Sequence, residues 1–82
     1  SYSIRNPKDY IGKRDELFHN DHPIYIEIGM GKGQFIIENA IQNPNINFIG
    51  IEKYDSVIVK ALQKIPEGVL NIIMVRYLEK QK

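Results

Sequence analysis

The sequence predicts an α/β fold: about three parallel strands joined by two crossover helices, βαβαβ, making one half of a doubly wound sheet. Three observations predict it. Short β-branched runs recur along the chain, amphipathic helical stripes separate them, and a glycine cluster sits at the first strand-to-helix junction.

The elements follow in order. Residues 1–6 are polar without period, and Pro7 and Gly12 interrupt the next stretch, so the beginning reads as an extended arm with turns. Residues 13–18 can form about one helical turn, with Leu17 and Phe18 as anchors. Asn20, Asp21 and Pro23 mark a turn. Ile24-Tyr25-Ile26-Glu27-Ile28 is almost continuously apolar and reads as a buried parallel strand. After the glycines, Phe35, Ile36, Ile37, Ala40 and Ile41 recur at helical spacing, and Asn43-Pro44-Asn45 ends that helix. Phe48-Ile49-Gly50-Ile51 is the second strand. Val57, Ile58, Ala61, Leu62 and Ile65 repeat the helical stripe, with Lys53, Lys60 and Lys64 left to water, until Pro66-Glu67-Gly68 stops it. A third strand lies within residues 69–75, and the tail from Arg76 onward is charged. The domain reading is an arm with a short helix over 1–22 and a partial domain over 23–82, a piece of a larger fold.

Composition narrows the function. The chain has 82 residues, a length at which folding buries only about 60% of the unfolded surface. It has no cysteine, which excludes disulfide staples, thiolate zinc sites and thiol nucleophiles. Eleven basic and ten acidic side chains leave a net charge of +1, too small for a strong global pull on nucleic acid or membrane. The longest apolar runs fall far short of a membrane span of about 20 residues. An intracellular, cytoplasmic protein is expected.

Glu27-Ile28-Gly29-Met30-Gly31-Lys32-Gly33 is the most informative stretch. Between a strand and a helix the backbone must turn sharply and approach a ligand closely, and a β-carbon would obstruct both. The turn also presents a helix N-terminus with unpaired N–H groups. The spacing G-x-G-x-G differs from the dinucleotide fingerprint G-x-G-x-x-G, and no G-K-[ST] follows as in a P-loop. The acid Glu27, two residues before the first glycine, would repel a pyrophosphate and suits a cationic ligand. Glu52 ends the second strand, 19 residues after Gly33. An acid there can accept hydrogen bonds from both hydroxyls of an adenosine ribose, for a dinucleotide or for another nucleoside.

Other candidates carry less. His19 and His22 flank a turn with no third ligand beside them, so no metal site is expected. Lys32 can face a ligand, RNA or water. Tyr54 can line an adenine pocket or pack on the sheet edge. Arg5, Lys8, Lys13 and Arg14 interleave with Tyr2 and Tyr10, a mixture that suits looped RNA and equally suits a solvated arm. No residue is assigned a catalytic role.

The E-x-G-x-G-x-G pattern resembles the first motif of class I S-adenosylmethionine-dependent methyltransferases. The texts PIYIEIGMGKGQFI and NPNINFIGIEKYDSVIVKAL narrow this further. Over residues 23–64 the chain resembles the bacterial tRNA (guanine-N7-)-methyltransferases, which modify the guanine of the variable loop. The resemblance implies a Rossmann-like class I methyltransferase half-fold with S-adenosyl-L-methionine as cofactor. It implies that Glu27, Gly29, Gly31, Gly33 and Glu52 bind that cofactor. It implies tRNA as partner, held mostly through a C-terminal part absent from this sequence. The family's third strand leads to an Asp or Asn on the adenine, whereas Val75 here is followed by Arg76-Tyr77-Leu78-Glu79. The segments with the family's catalytic Asp are also absent, so the 82 residues alone are expected to be inactive.

Two alternatives stand beside this reading. One is a class I methyltransferase with another acceptor. The other is a nonenzymatic nucleotide-binding or RNA-associated module. No membrane association is expected, and an unpaired strand edge is expected to allow self-association.

Overall fold

The computed structural model describes residues 3–4 and 17–78. Strands β1 (Ser3–Ile4), β2 (Ile24–Ile28), β3 (Asn47–Glu52) and β4 (Ile72–Arg76) form one sheet in the order β1-β4-β3-β2. Helix α1 (Gln34–Gln42) joins β2 to β3, and α2 (Asp55–Gln63) joins β3 to β4. All pairings are parallel, as a βαβαβ chain requires. The Rossmann-like half-sheet predicted from the sequence is present.

Period-two alternation in β3 divides the core. Phe48 faces the side covered by the helices, where Ile36, Ile37, Ala40, Ile58, Ala61, Ile72 and Met74 close around it. Ile49 and Ile51 face the other side with Ile73 and Val75, and Leu17 packs on them. Leu17 and Phe18 are helical and act as the expected anchors. α1 ends where the Asn43-Pro44-Asn45 stop predicts. The Asn71 amide lies among the carbonyl groups of the helix end and the following turn, reaching Ala40 O at 2.9 Å, Asn43 O at 3.0 Å and Ile46 O at 2.9 Å.

Three features depart from the sequence reading. β1 is a fourth strand where only an arm was expected: Ser3 lies opposite Met74 and Ile4 opposite Val75. A two-residue polar-apolar pair carries no periodic signal, and the free backbone groups of β4 supply the reason to pair. β2 is not buried. With β1 it is one of the sheet's two outer strands among the described residues, with Tyr25 and Ile26 exposed and Ile28 80% exposed. Its apolar run carries the chemistry of a central strand, but burial depends on a neighbour as well as on composition. Phe35 and Ile41 are also exposed, so the buried stripe of α1 narrows to Ile36, Ile37 and Ala40. The basic-aromatic arm residues Tyr2, Arg5, Lys8, Tyr10, Lys13 and Arg14, and the tail beyond 78, lie outside the described residues.

Candidate functional site

The carboxyl ends of β2, β3 and β4 meet at one edge of the sheet, where ligands of open α/β sheets bind. The glycine turn arches over this edge. Gly29, Gly31 and Gly33 all have φ between 60° and 78°, a region that other residues enter only with strain. The turn is pinned to β3: the Gly29 and Met30 N–H groups both donate to Ile51 O, at 2.8 and 3.2 Å. Gly33 N–H then donates to Met30 O at 3.1 Å and closes the turn. Gly33 is also the N-cap of α1 and offers no side-chain cap, so the helix begins with its N–H groups bare of a side-chain acceptor.

Glu52 joins the turn to the next strand end. It is 9% exposed. Its Oε1 accepts the Gly31 N–H at 3.1 Å, and Oε2 accepts the N–H groups of Lys53 at 2.9 Å and Tyr54 at 3.4 Å. Its backbone carbonyl accepts the Tyr77 N–H at 2.8 Å. The carboxylate of Glu52 therefore joins the glycine turn to the β3-α2 turn, while its backbone carbonyl holds the residue that follows β4. Beside it opens a pocket of 260 Å³ lined by Ile28, Gly29, Ile51, Glu52, Lys53 and Tyr77. Whole-ligand pockets run from about 300 to 1,000 Å³, so this one has room for part of a ligand. A larger pocket of 310 Å³, lined by Asn20, Asn47, Leu70 and Asn71 among others, lies at the opposite ends of the strands and away from the glycine turn.

Glu27 lies opposite Gly50 in the β2-β3 register. Its Oε1 is buried and has no hydrogen-bond partner among the described residues. A buried acceptor without a donor is costly.

The structure brings together Gly29, Gly31 and Glu52, and places Glu27 on the neighbouring strand end. Gly33 does not line that pocket, and a β-carbon there would meet Ala61 Cβ at 3.1 Å, so the lack of one lets α1 pack close to α2. Tyr54 is exposed, with Lys53 Nζ 5.2 Å from its ring centroid, and does not line the pocket. Lys32 is exposed. Among the described residues no group of three His, Asp or Glu side chains gathers to hold a metal.

Sequence reasoning missed Tyr77, Met30 and Gly50. Tyr77 lines the pocket, while its neighbour Arg76 is committed to Asp55 by a 3.0 Å ion pair. Met30 was read only as a spacer between glycines, yet it is buried in the core against Gly50. A glycine inside a strand, which marks close approach by another group, was the available signal.

A parallel βαβαβ sheet with a glycine turn after its first helix-linked strand and a buried acid after the second is the mononucleotide-binding half of a doubly wound α/β sheet. The family described as "Putative methyltransferase" matches residues 21–79, and the chain belongs to this methyltransferase family. It is 61% identical over 69 residues to the tRNA (guanine-N(7)-)-methyltransferase of Geobacillus sp. (strain WCH70), covering 84% of this chain. It is 58% identical over 66 residues to the enzyme of the same name from Bacillus subtilis (strain 168), covering 80% of this chain. The chain spans 31% of the length of each of these relatives.

Proposed function

We propose that this chain is the donor-holding part of a methyltransferase that moves a methyl group from S-adenosylmethionine to N7 of a guanine in tRNA. The observation that carries the reading is the buried, unpartnered Oε1 of Glu27 beside a glycine turn whose Gly31 is tied to Glu52. An anionic acceptor suits the cationic amino group of this donor and opposes a phosphate. Glu52, already fixed by three backbone donors, retains about one of the roughly four lone-pair sites of a carboxylate, on Oε1, for a ribose hydroxyl. Bare N–H groups at the start of α1 and the glycine backbone allow close approach without side-chain obstruction.

When bound, the donor would supply a sulfonium methyl whose carbon accepts the guanine N7 lone pair, the N–C bond forming as the C–S bond breaks and its electrons go to sulfur. The residues described here contribute binding and orientation, the source of much of the rate in a two-substrate displacement. The donor unit takes in residues 23–78, with Ser3–Ile4 paired to β4 and Leu17 packed on its core. The acceptor side and the tRNA contacts lie mostly outside this sequence. Such an enzyme works on tRNA in the cytoplasm. The open edge of β2, with Ile26 and Ile28 exposed, supports self-association of the isolated chain.

The test is methyl transfer by the gene's complete product, with labelled donor and tRNA transcripts with and without the variable-loop guanine. Label should appear as N7-methylguanine at that position only. Label on another base, or none, would refute the acceptor assignment.

A further inference from the structure

We propose that Met30 is a positioning residue: its side chain, seated in the space left by the absent side chain of Gly50, sets the glycine turn and through it the carboxylate of Glu52. Met30 lies at the centre of the turn yet is buried in the helix-side core. A β-carbon on Gly50 would come within 2.3 Å of Met30 Sδ and 3.5 Å of its Cγ, so the thioether occupies the volume that any other residue at position 50 would fill. Ile36 Cδ1 lies 3.4 Å from the same point. The Met30 side chain is therefore confined between β3 and α1.

The backbone of Met30 is confined too. Its N–H donates to Ile51 O and its carbonyl accepts the Gly33 N–H. The next residue, Gly31, donates to Glu52 Oε1. A displacement of Met30 is thus passed on one residue later to the bond that orients Glu52. Sδ is mid-chain rather than a free tip, so the clash made by a β-carbon at position 50 is not relieved by a terminal methyl swinging aside. The flexible turn is registered by a plug in the core, and the plug fits because Gly50 is a glycine. The role in ligand binding rests on the donor reading given above; the role in setting the turn does not.

The experiment uses the gene's complete product at a temperature where every variant is folded. Two readouts are taken: S-adenosylhomocysteine affinity by calorimetry, and hydrogen exchange of the amides of residues 29–33. Gly50→Ala should raise Kd by about tenfold or more, equivalent to losing one hydrogen bond, and speed exchange at Gly31 to a similar degree. Met30→Ala should move both in the same direction. The double variant should be no worse than Gly50→Ala, because Met30→Ala removes the thioether that the new β-carbon strikes. Met30→Leu, a volume-conserving swap, should restore both to within about threefold of wild type. If Gly50→Ala and Met30→Ala lower only the melting temperature and leave exchange at Gly31 unchanged, the pair is ordinary core packing and the proposal is overturned. If wild type does not bind S-adenosylhomocysteine but exchange at Gly31 accelerates in the variants, the donor reading falls and the positioning role stands.

Discussion

The three glycines of the turn look equivalent in sequence, but the structure predicts that they respond very differently to alanine. All three have positive φ, so each substitution carries backbone strain of about 1–2 kcal/mol. At Gly29 and Gly31 a new β-carbon meets nothing within 4 Å among the described residues, and strain is the cost. At Gly33 it meets Ala61 Cβ at 3.1 Å, Ile37 Cδ1 at 3.4 Å and Met74 Cε at 3.4 Å. Ala61 is fully buried in α2, and its Cβ has no rotamer by which to withdraw. Either α1 or α2 must shift, at a further cost of about 1–3 kcal/mol for overpacking. Gly33→Ala should therefore lose about 2–5 kcal/mol in all, a large share of the roughly 5–15 kcal/mol that holds a domain folded. Urea denaturation of the gene's complete product and of the three single variants measures this, read from the midpoints with m unchanged. If Gly33→Ala proves no more destabilising than Gly29→Ala, the packing account of the third glycine is wrong.

Two other substitutions separate stability from binding. Glu52→Gln places an amide NH₂ against backbone N–H groups on one side or the other, losing either the Gly31 bond or the Lys53 bond. It should cost about 1–3 kcal/mol of stability and, in folded protein, raise the KM for S-adenosylmethionine about tenfold with kcat nearly unchanged; thermal melts and steady-state kinetics check the two parts. Asn71→Ala removes the amide shared by Ala40, Asn43 and Ile46 at the far end of the sheet from the glycine turn. It should lower stability by about 1–3 kcal/mol and leave donor KM unchanged, since no part of the pocket beside Glu52 depends on it.

The fold was legible because its signals are local and periodic. The stripe of Val57, Ile58, Ala61, Leu62 and Ile65 needs no partner to be read as a helix, and Pro66-Glu67-Gly68 needs none to be read as its end. The glycine turn and Glu52 were legible for the same reason: each combines a residue type with a fixed distance from a strand end. What stayed hidden depends on contacts between distant parts of the chain. The apolar run of β2 does not state whether a neighbour covers it, and Ile26 and Ile28 prove exposed. Ser3–Ile4 becomes a strand only because β4 offers it an edge. Glu52 could be read as a ligand contact, but not as the acceptor of the Gly31 N–H, which is 21 residues away. Met30 between glycines reads as loop until Gly50 is placed beneath it.

The central claim, that the glycine turn and its two acids hold a cationic nucleoside donor, is tested most directly by calorimetric titration of the gene's complete product with S-adenosylhomocysteine and, separately, with NAD. The account predicts binding of S-adenosylhomocysteine, no response to NAD, and an affinity about tenfold lower in Glu27→Gln, whose amide replaces the unpartnered Oε1 charge. Clear binding of NAD with no response to S-adenosylhomocysteine would contradict it.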